Sequence, residues 1–155
     1  MSTRGAVCLE ISDGHYEIFY NHCDSYPTEL GVDLAELLKA GKTADEIVKA
    51  LELRDYQKVI AGTFGNDVAK QVYLGLQSDL EWVYVVDFNP RSLQVFRTSN
   101  PDLIHGPDFV FSVWFSYVDY FPQDIKGEME KVQDTAEITL NGISAYHEAS
   151  KKSSV

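Results

Sequence analysis

Apolar and polar positions alternate on both sides of Asp13-Gly14 in RGAVCLEISDGHYEIFYN, residues 4 to 21. Asp-Gly is the preferred dipeptide of a two-residue type I′ turn, so the pattern predicts a β-hairpin. Pairing Ser12 with His15 sets Ile11 opposite Tyr16, Leu9 opposite Ile18 and Val7 opposite Tyr20, all on one core-facing side. The other face would then carry Ala6, Cys8, Glu10, Glu17, Phe19 and Asn21, and its glutamate pair would face water.

After Pro27 the period changes to that of a helix, with Leu30, Leu34, Leu37 and Leu38 on one side, Thr28 as the expected N-cap and Gly41 as the stop. Thr43-Ala-Asp-Glu46 is a capping box ahead of Ile47, Val48 and Leu51, which predicts a second helix. Between Arg54 and Ser78 the spacing predicts two short helices, one on Tyr56, Val59 and Ile60 and one on Val68, Val72 and Leu76, separated near Gly62 and Gly65. Strands return in EWVYVVDF (81 to 88) and LQVFRT, joined by a proline turn at 89 to 92. Residues 99 to 108 read as a loop, and FVFSVWFSYVDY as a strand with one aromatic face that floors the core. Met129, Val132, Ala136, Leu140, Ile143 and His147 predict an amphipathic helix over about 124 to 150.

Strands flanking a helical middle, with tight hairpins, predict an α+β fold: an antiparallel sheet of about five strands with helices packed mainly on one face. The 155 residues, 45% of them hydrophobic, are enough for one domain over residues 1–150, followed by a frayed tail at 151–155. There is no apolar run long enough to span a membrane, and MSTRGAVCLE lacks the features of a signal peptide, so a cytoplasmic location and no membrane partner are expected. In a reducing compartment Cys8 and Cys23 are expected as free thiols.

Charge changes the picture most. Twenty-four acidic against 13 basic residues give a net charge of −11, which repels a phosphate backbone and argues against direct nucleic-acid binding. From Asp102 to Glu148 nine acids face only Lys126 and Lys131. Glu128, Glu130, Asp134 and Glu137 are therefore the candidate contacts to a host or partner protein with a basic surface. A homodimer covering Phe19, Trp82 or Trp114 stays open beside simple packing under a helix. No phosphate loop is present, since Gly62-Thr-Phe-Gly65 lacks the following Lys-Ser/Thr, and no cofactor is expected.

Candidate chemistry concentrates in NHCDSYPTELG, residues 21 to 31. If β-parity continues, Tyr20, His22 and Asp24 face the core side, beside a helix start that favours a carboxylate. One reading is a structural corner. Another is an acid–base pair of His22 and Asp24, with Tyr20 and Tyr26 binding a small ligand. A Cys23 nucleophile with His22 as base is disfavoured because strand neighbours point to opposite faces. A metal on His22, Asp24 and Cys23 is limited by the strand, whose alternate residues give only two ligands to one centre, and a third would have to come from His15, His105, Asp87 or His147, none of them at a diagnostic spacing, so no metal is expected.

The block Tyr20-Asn21-His22-Cys23-Asp24-Ser25-Tyr26-Pro27, with Gly31 following, resembles a loose family of small uncharacterised phage and prokaryotic proteins in which it reads approximately Tyr-x-His-Trp-Asp-Gly-Tyr-Pro. Cys23 replaces the tryptophan and Ser25 the glycine, and the resemblance covers about the first 40 residues, with an echo in WVYVVDFNPRSLQVF. It implies a phage or mobile-element context and a shared fold, but no reaction. The sequence therefore favours a small acidic interaction module, of the kind that could inhibit a host nucleic-acid-handling or defence protein. The alternative is a small-ligand-binding or hydrolytic enzyme at residues 20 to 27.

Overall fold

The computed structural model describes residues 3–64, 68–69, 71–72, 80–88, 91–97 and 124–134 with their side chains, and the backbone of 108–114. Among the described residues six strands form one sheet: β1 (Gly5–Ser12), β2 (His15–Asn21), β3 (Gln57–Thr63), β4 (Trp82–Phe88), β5 (Arg91–Arg97) and β6 (Asp108–Trp114). Their order is β3-β2-β1-β4-β5-β6. The α+β class holds and the sheet is mostly antiparallel, but it has one parallel seam, between β1 and β4, with Gly5 beside Trp82 and Leu9 beside Val86. The seam joins two meanders that run outward in opposite directions. The two strands beside it carry near-continuous apolar runs, GAVCL and WVYVV, because both sheet faces are covered there.

One face packs Val7, Leu9, Phe19, Trp82, Tyr84, Val86, Leu93 and Val95 under three helices. These are α1 (Val32–Lys39), α2 (Ala44–Leu53) and the helix at 125–134, which contribute Leu34, Leu38, Ile47, Leu51, Ile125, Met129 and Val132. The opposite face packs Ala6, Cys8, Tyr16, Ile18, Val83 and Val85 against Val68, Ala69, Val72 and Leu80. Among the described residues most helical mass thus lies on one side, and the second face is covered by helical residues at 68–69 and 71–72 and by Leu80. Phe19 and Trp82 are fully buried in this fold. The side chain of Trp114 lies outside the described residues.

The hairpin turn is where the sequence puts it, with Ser12 paired to His15, but a β-bulge between Glu10 and Ser12 shifts every later pair by one. Glu10 faces Tyr16, Cys8 faces Ile18 and Val7 faces Phe19. A one-residue shift exchanges faces, so Val7 and Leu9 share theirs with Phe19, while Tyr16 and Ile18 join Cys8.

Helix termini explain two further differences. Thr28 is not an N-cap: Pro27–Gly31 forms a π-helical turn leading into α1, Tyr26 holds the cap position without a side-chain bond, and the Thr28 hydroxyl hydrogen-bonds Gln133 Oε1 at 3.0 Å. Gly41, at φ 76°, ends α1 as expected, and the Thr43–Glu46 capping box is formed on both sides. The predicted helix on Tyr56, Val59 and Ile60 is instead edge strand β3. Asp55 adopts φ 62°, and the amides of Asp55 and Tyr56 bond the carbonyls of Glu52 and Leu51, a Schellman closure that glycine usually makes. The chain leaves α2 there and β-branched Val59 and Ile60 extend along β2. The second predicted helix is present at 68–69 and 71–72, with Val68 and Val72 buried. Asp124 caps the helix at 125–134 by accepting the Gly127 amide at 3.0 Å. The continuation of that helix beyond 134, the turn at 89–90, the 99–107 loop and the 151–155 tail lie outside the described residues.

Candidate functional site

Two polar clusters sit at opposite ends of the β1–β4 seam. The first is the corner that follows β2. Asn21 and Ser25 are buried, whereas His22, Cys23 and Asp24 are exposed. Asn21 Nδ2 donates to Ser25 Oγ at 2.9 Å and to the Cys23 carbonyl, which pinches the chain into a turn. Tyr84 Oη donates to the Ser25 carbonyl at 2.6 Å from the floor of the core. Asp24 takes φ 56°, a left-handed conformation that aspartate tolerates better than most residues. The expectation of an extended chain carrying His22 and Asp24 on the core side is therefore corrected: the turn reverses the strand at Asp24 and faces both to solvent. Tyr20 and Tyr26 are half-buried, and Tyr20 packs with the second-face cluster.

Two features of the Tyr-Pro-x-x-x-Gly stretch have structural causes. A Cβ on Gly31 would lie 3.1 Å from Met129 Sδ and 3.5 Å from the Tyr84 ring, so the glycine lets the helix at 125–134 pack close. Ser25 fits only because residue 5 is glycine, where a Cβ would meet the Ser25 Cβ at 2.6 Å. Nearby, Thr3 Oγ1 and Trp82 Nε1 are buried without a hydrogen-bond partner among the described residues, and the Arg97 guanidinium lies 4.9 Å over the Trp82 ring. On the solvent side of the corner, partial desolvation and then the neighbouring Asp24 raise the Glu29 carboxyl above its ordinary range. The Tyr56 phenol is pushed up to about 12, chiefly by burial. Asp33 pairs with Arg54 at 2.5 Å.

The second cluster lies at the C-terminal end of the seam and was not singled out as a site from the sequence. Tyr16 Oη donates to Asp87 Oδ1 at 2.7 Å, and Glu10 Oε1 accepts the Phe88 amide at 3.4 Å. Burial, then the Asp87 charge, raises the Glu10 carboxyl, and burial raises that of Asp87 against the opposing hydrogen bond from Tyr16. The Tyr16 phenol and the Cys8 thiol are both pushed far upward by burial first and by Asp87 second. A buried, uncharged Cys8 is a poor nucleophile. The sequence does carry a signal for this cluster. Glu10 and Asp87 are carboxylates set at the ends of strand runs that otherwise read as buried on both faces.

Among the described residues no three His, Cys, Asp or Glu side chains are grouped to hold a metal, and Cys8 and Cys23 are both free. No helix among them is long and apolar enough to cross a membrane. The candidate partner-facing carboxylates are placed by the helix at 125–134. Ile125, Met129 and Val132 point into the core, Glu130 and Asp134 are exposed, and Glu128 pairs with Lys131 at 3.6 Å. Glu137 lies outside the described residues. In comparisons with known proteins, no family model, no curated protein and no solved structure matches this chain.

Proposed function

We propose that this protein is a small acidic interaction module of phage or mobile-element type. It would bind a host or partner protein through that partner's basic surface and block a nucleic-acid-handling or defence activity. The observation that supports this most is the net charge of −11, with Glu130 and Asp134 exposed beside Lys126 and Lys131 on the helix at 125–134. The central strands of the sheet are covered on both faces. The context rests on the resemblance in the first 40 or so residues. An acidic surface meeting a basic one gives fast, salt-sensitive association. The test is an affinity capture of partners, repeated at high salt and with Glu128, Glu130, Asp134 and Glu137 changed to lysine. Captured partners should be lost in both conditions; retention in both rules the reading out.

A second reading, a small-ligand or hydrolytic site at the corner, is favoured by one observation. Asp24 holds a left-handed backbone beside exposed His22 and Cys23, and non-glycine residues in that region concentrate at functional turns. His22 would act as acid–base and Asp24 as its orienter, with Tyr20 and Tyr26 flanking. Native mass spectrometry of the wild type beside His22→Ala decides it: a bound small molecule lost in the variant supports a site, and identical apo masses remove it.

A further inference from the structure

β3 is an edge strand, and its outer side carries no neighbouring strand among the described residues. Its register with β2 sets which backbone groups are engaged. The Phe64 amide bonds the Gly14 carbonyl at 2.9 Å, while Gly62 lies opposite Tyr16 and Ile60 opposite Ile18. Bonded pairs alternate along an antiparallel ladder, so Gly62 and Ile60 bond β2, and Ala61 and Thr63 turn their N–H and C=O groups outward. The two halves of the strand differ. In the first, Lys58 pairs with Glu17 at 3.7 Å and a bulge at Val59 interrupts the ladder, two devices that blunt an edge. The second, from Ile60 to Thr63, has no charge, no proline and no bulge.

We propose that this second half of β3 is a self-association surface, on which a second copy of this chain adds its own β3 antiparallel, with the two-fold axis at Gly62. The strand is complementary to itself in that register. Ala61 and the second copy's Thr63 exchange both backbone bonds, and by symmetry Thr63 does the same with the second copy's Ala61. Gly62 meets its own counterpart on the axis, and a Cβ added there would find nothing within 4 Å, so the close approach of a non-bonded pair is open. On the same face Ile60 comes opposite the second copy's Phe64. Both side chains are half-buried against the cluster of Tyr16 and Ile18, with Phe64 edge-on to Tyr16 at 6.3 Å, so the pairing extends that apolar cluster into the second copy. The interface is distinct from a dimer over Phe19 or Trp82, which are fully buried. It is also independent of the acidic surface. Each copy carries a charge of −11, so added salt strengthens this association, whereas salt weakens contact with a basic partner.

Pairing through so short an edge is weak, so the experiment is sedimentation velocity of the full chain from about 20 μM to about 1 mM, at low and at high salt. The wild type should shift from monomer toward dimer with concentration, and further at high salt. Ala61→Pro removes an outward N–H and leaves the ladder to β2 in place, so the variant should keep its circular dichroism and dimerise at least about tenfold more weakly. A wild type that stays monomeric overturns the proposal, and so does a variant that dimerises as well as wild type. Should the variant fail to fold, amide hydrogen exchange of the wild type decides. Ala61 and Thr63 should gain protection with concentration, while Gly62, already bonded to β2, should not. Protection of Ala61 and Thr63 that does not change with concentration overturns the proposal, because a second copy is then not what covers the edge.

Discussion

The two ends of the β1–β4 seam solve the same problem, polar groups at the rim of a core, with different chemistry. At the N-terminal end Asn21, Ser25 and Tyr84 are neutral and fully or almost fully buried, and their hydrogen bonds to one another and to backbone carbonyls build a turn. At the C-terminal end the neutral Tyr16 hydroxyl serves an ionisable carboxyl, Asp87, with a second carboxyl, Glu10, on the neighbouring strand, and both carboxyls remain partly hydrated. A neutral amide or hydroxyl is satisfied by one or two partners and can be sealed away. A carboxylate stripped of water costs far more, so it stays near the rim or takes up a proton. The first end is therefore expected to respond to steric and hydrogen-bond changes at any pH, and the second to pH.

The largest effect should come from Gly5→Ala, because the added Cβ would lie 2.6 Å from the Ser25 Cβ and 3.2 Å from the Trp82 carbonyl oxygen. Overpacking of this kind should cost about 2–3 kcal/mol in urea unfolding. Adding Ser25→Gly should recover part of the loss, and strictly additive effects would show that the two positions do not clash. Tyr84→Phe comes next: it leaves the Ser25 carbonyl buried without its donor, for about 1–2 kcal/mol, equally at acid and neutral pH.

Tyr16→Phe acts on the other end. It removes the hydrogen bond that favours ionised Asp87, so the Asp87 carboxyl should titrate still higher, as read by NMR of the side-chain carboxyl. The stability loss should be about 1 kcal/mol at neutral pH and smaller in acid, where Asp87 is protonated. A loss independent of pH would place Tyr16 with the neutral end and break the contrast. The smallest effect is expected for His22→Ala, whose side chain is exposed: its stability should stay within about 0.5 kcal/mol of wild type. A larger loss would mean that the histidine belongs to the buried network of the corner.

Local chemistry was legible wherever it was complete within a few residues. Asp13-Gly14 marked the hairpin, Thr43 and Glu46 marked the start of α2, and Gly41 marked the end of α1. Asp55 hides the end of α2 because an aspartate does the work of a glycine there, so the local spacing predicts a helix where the chain forms strand β3. The location of the polar corner, between a strand end and a helix start, was also legible. The direction of its side chains was not, because that depends on the turn that Asn21 ties through Ser25 and on a bulge at Ile11 that no local pattern announces.

The alternation, the Thr43 capping box and the Gly41 stop thus determined by themselves that this is an α+β chain with an N-terminal hairpin, two successive helices and a later set of strands. The tertiary structure alone decided the parallel pairing of β1 with β4, the coverage of both faces of the central strands, and the meeting of Tyr16 with Asp87 and of Glu10 with the Phe88 amide from distant parts of the chain. The reason is physical. Turns and caps are satisfied by neighbours in sequence, whereas register across a seam and the surroundings of a half-buried carboxyl depend on groups that only packing brings together.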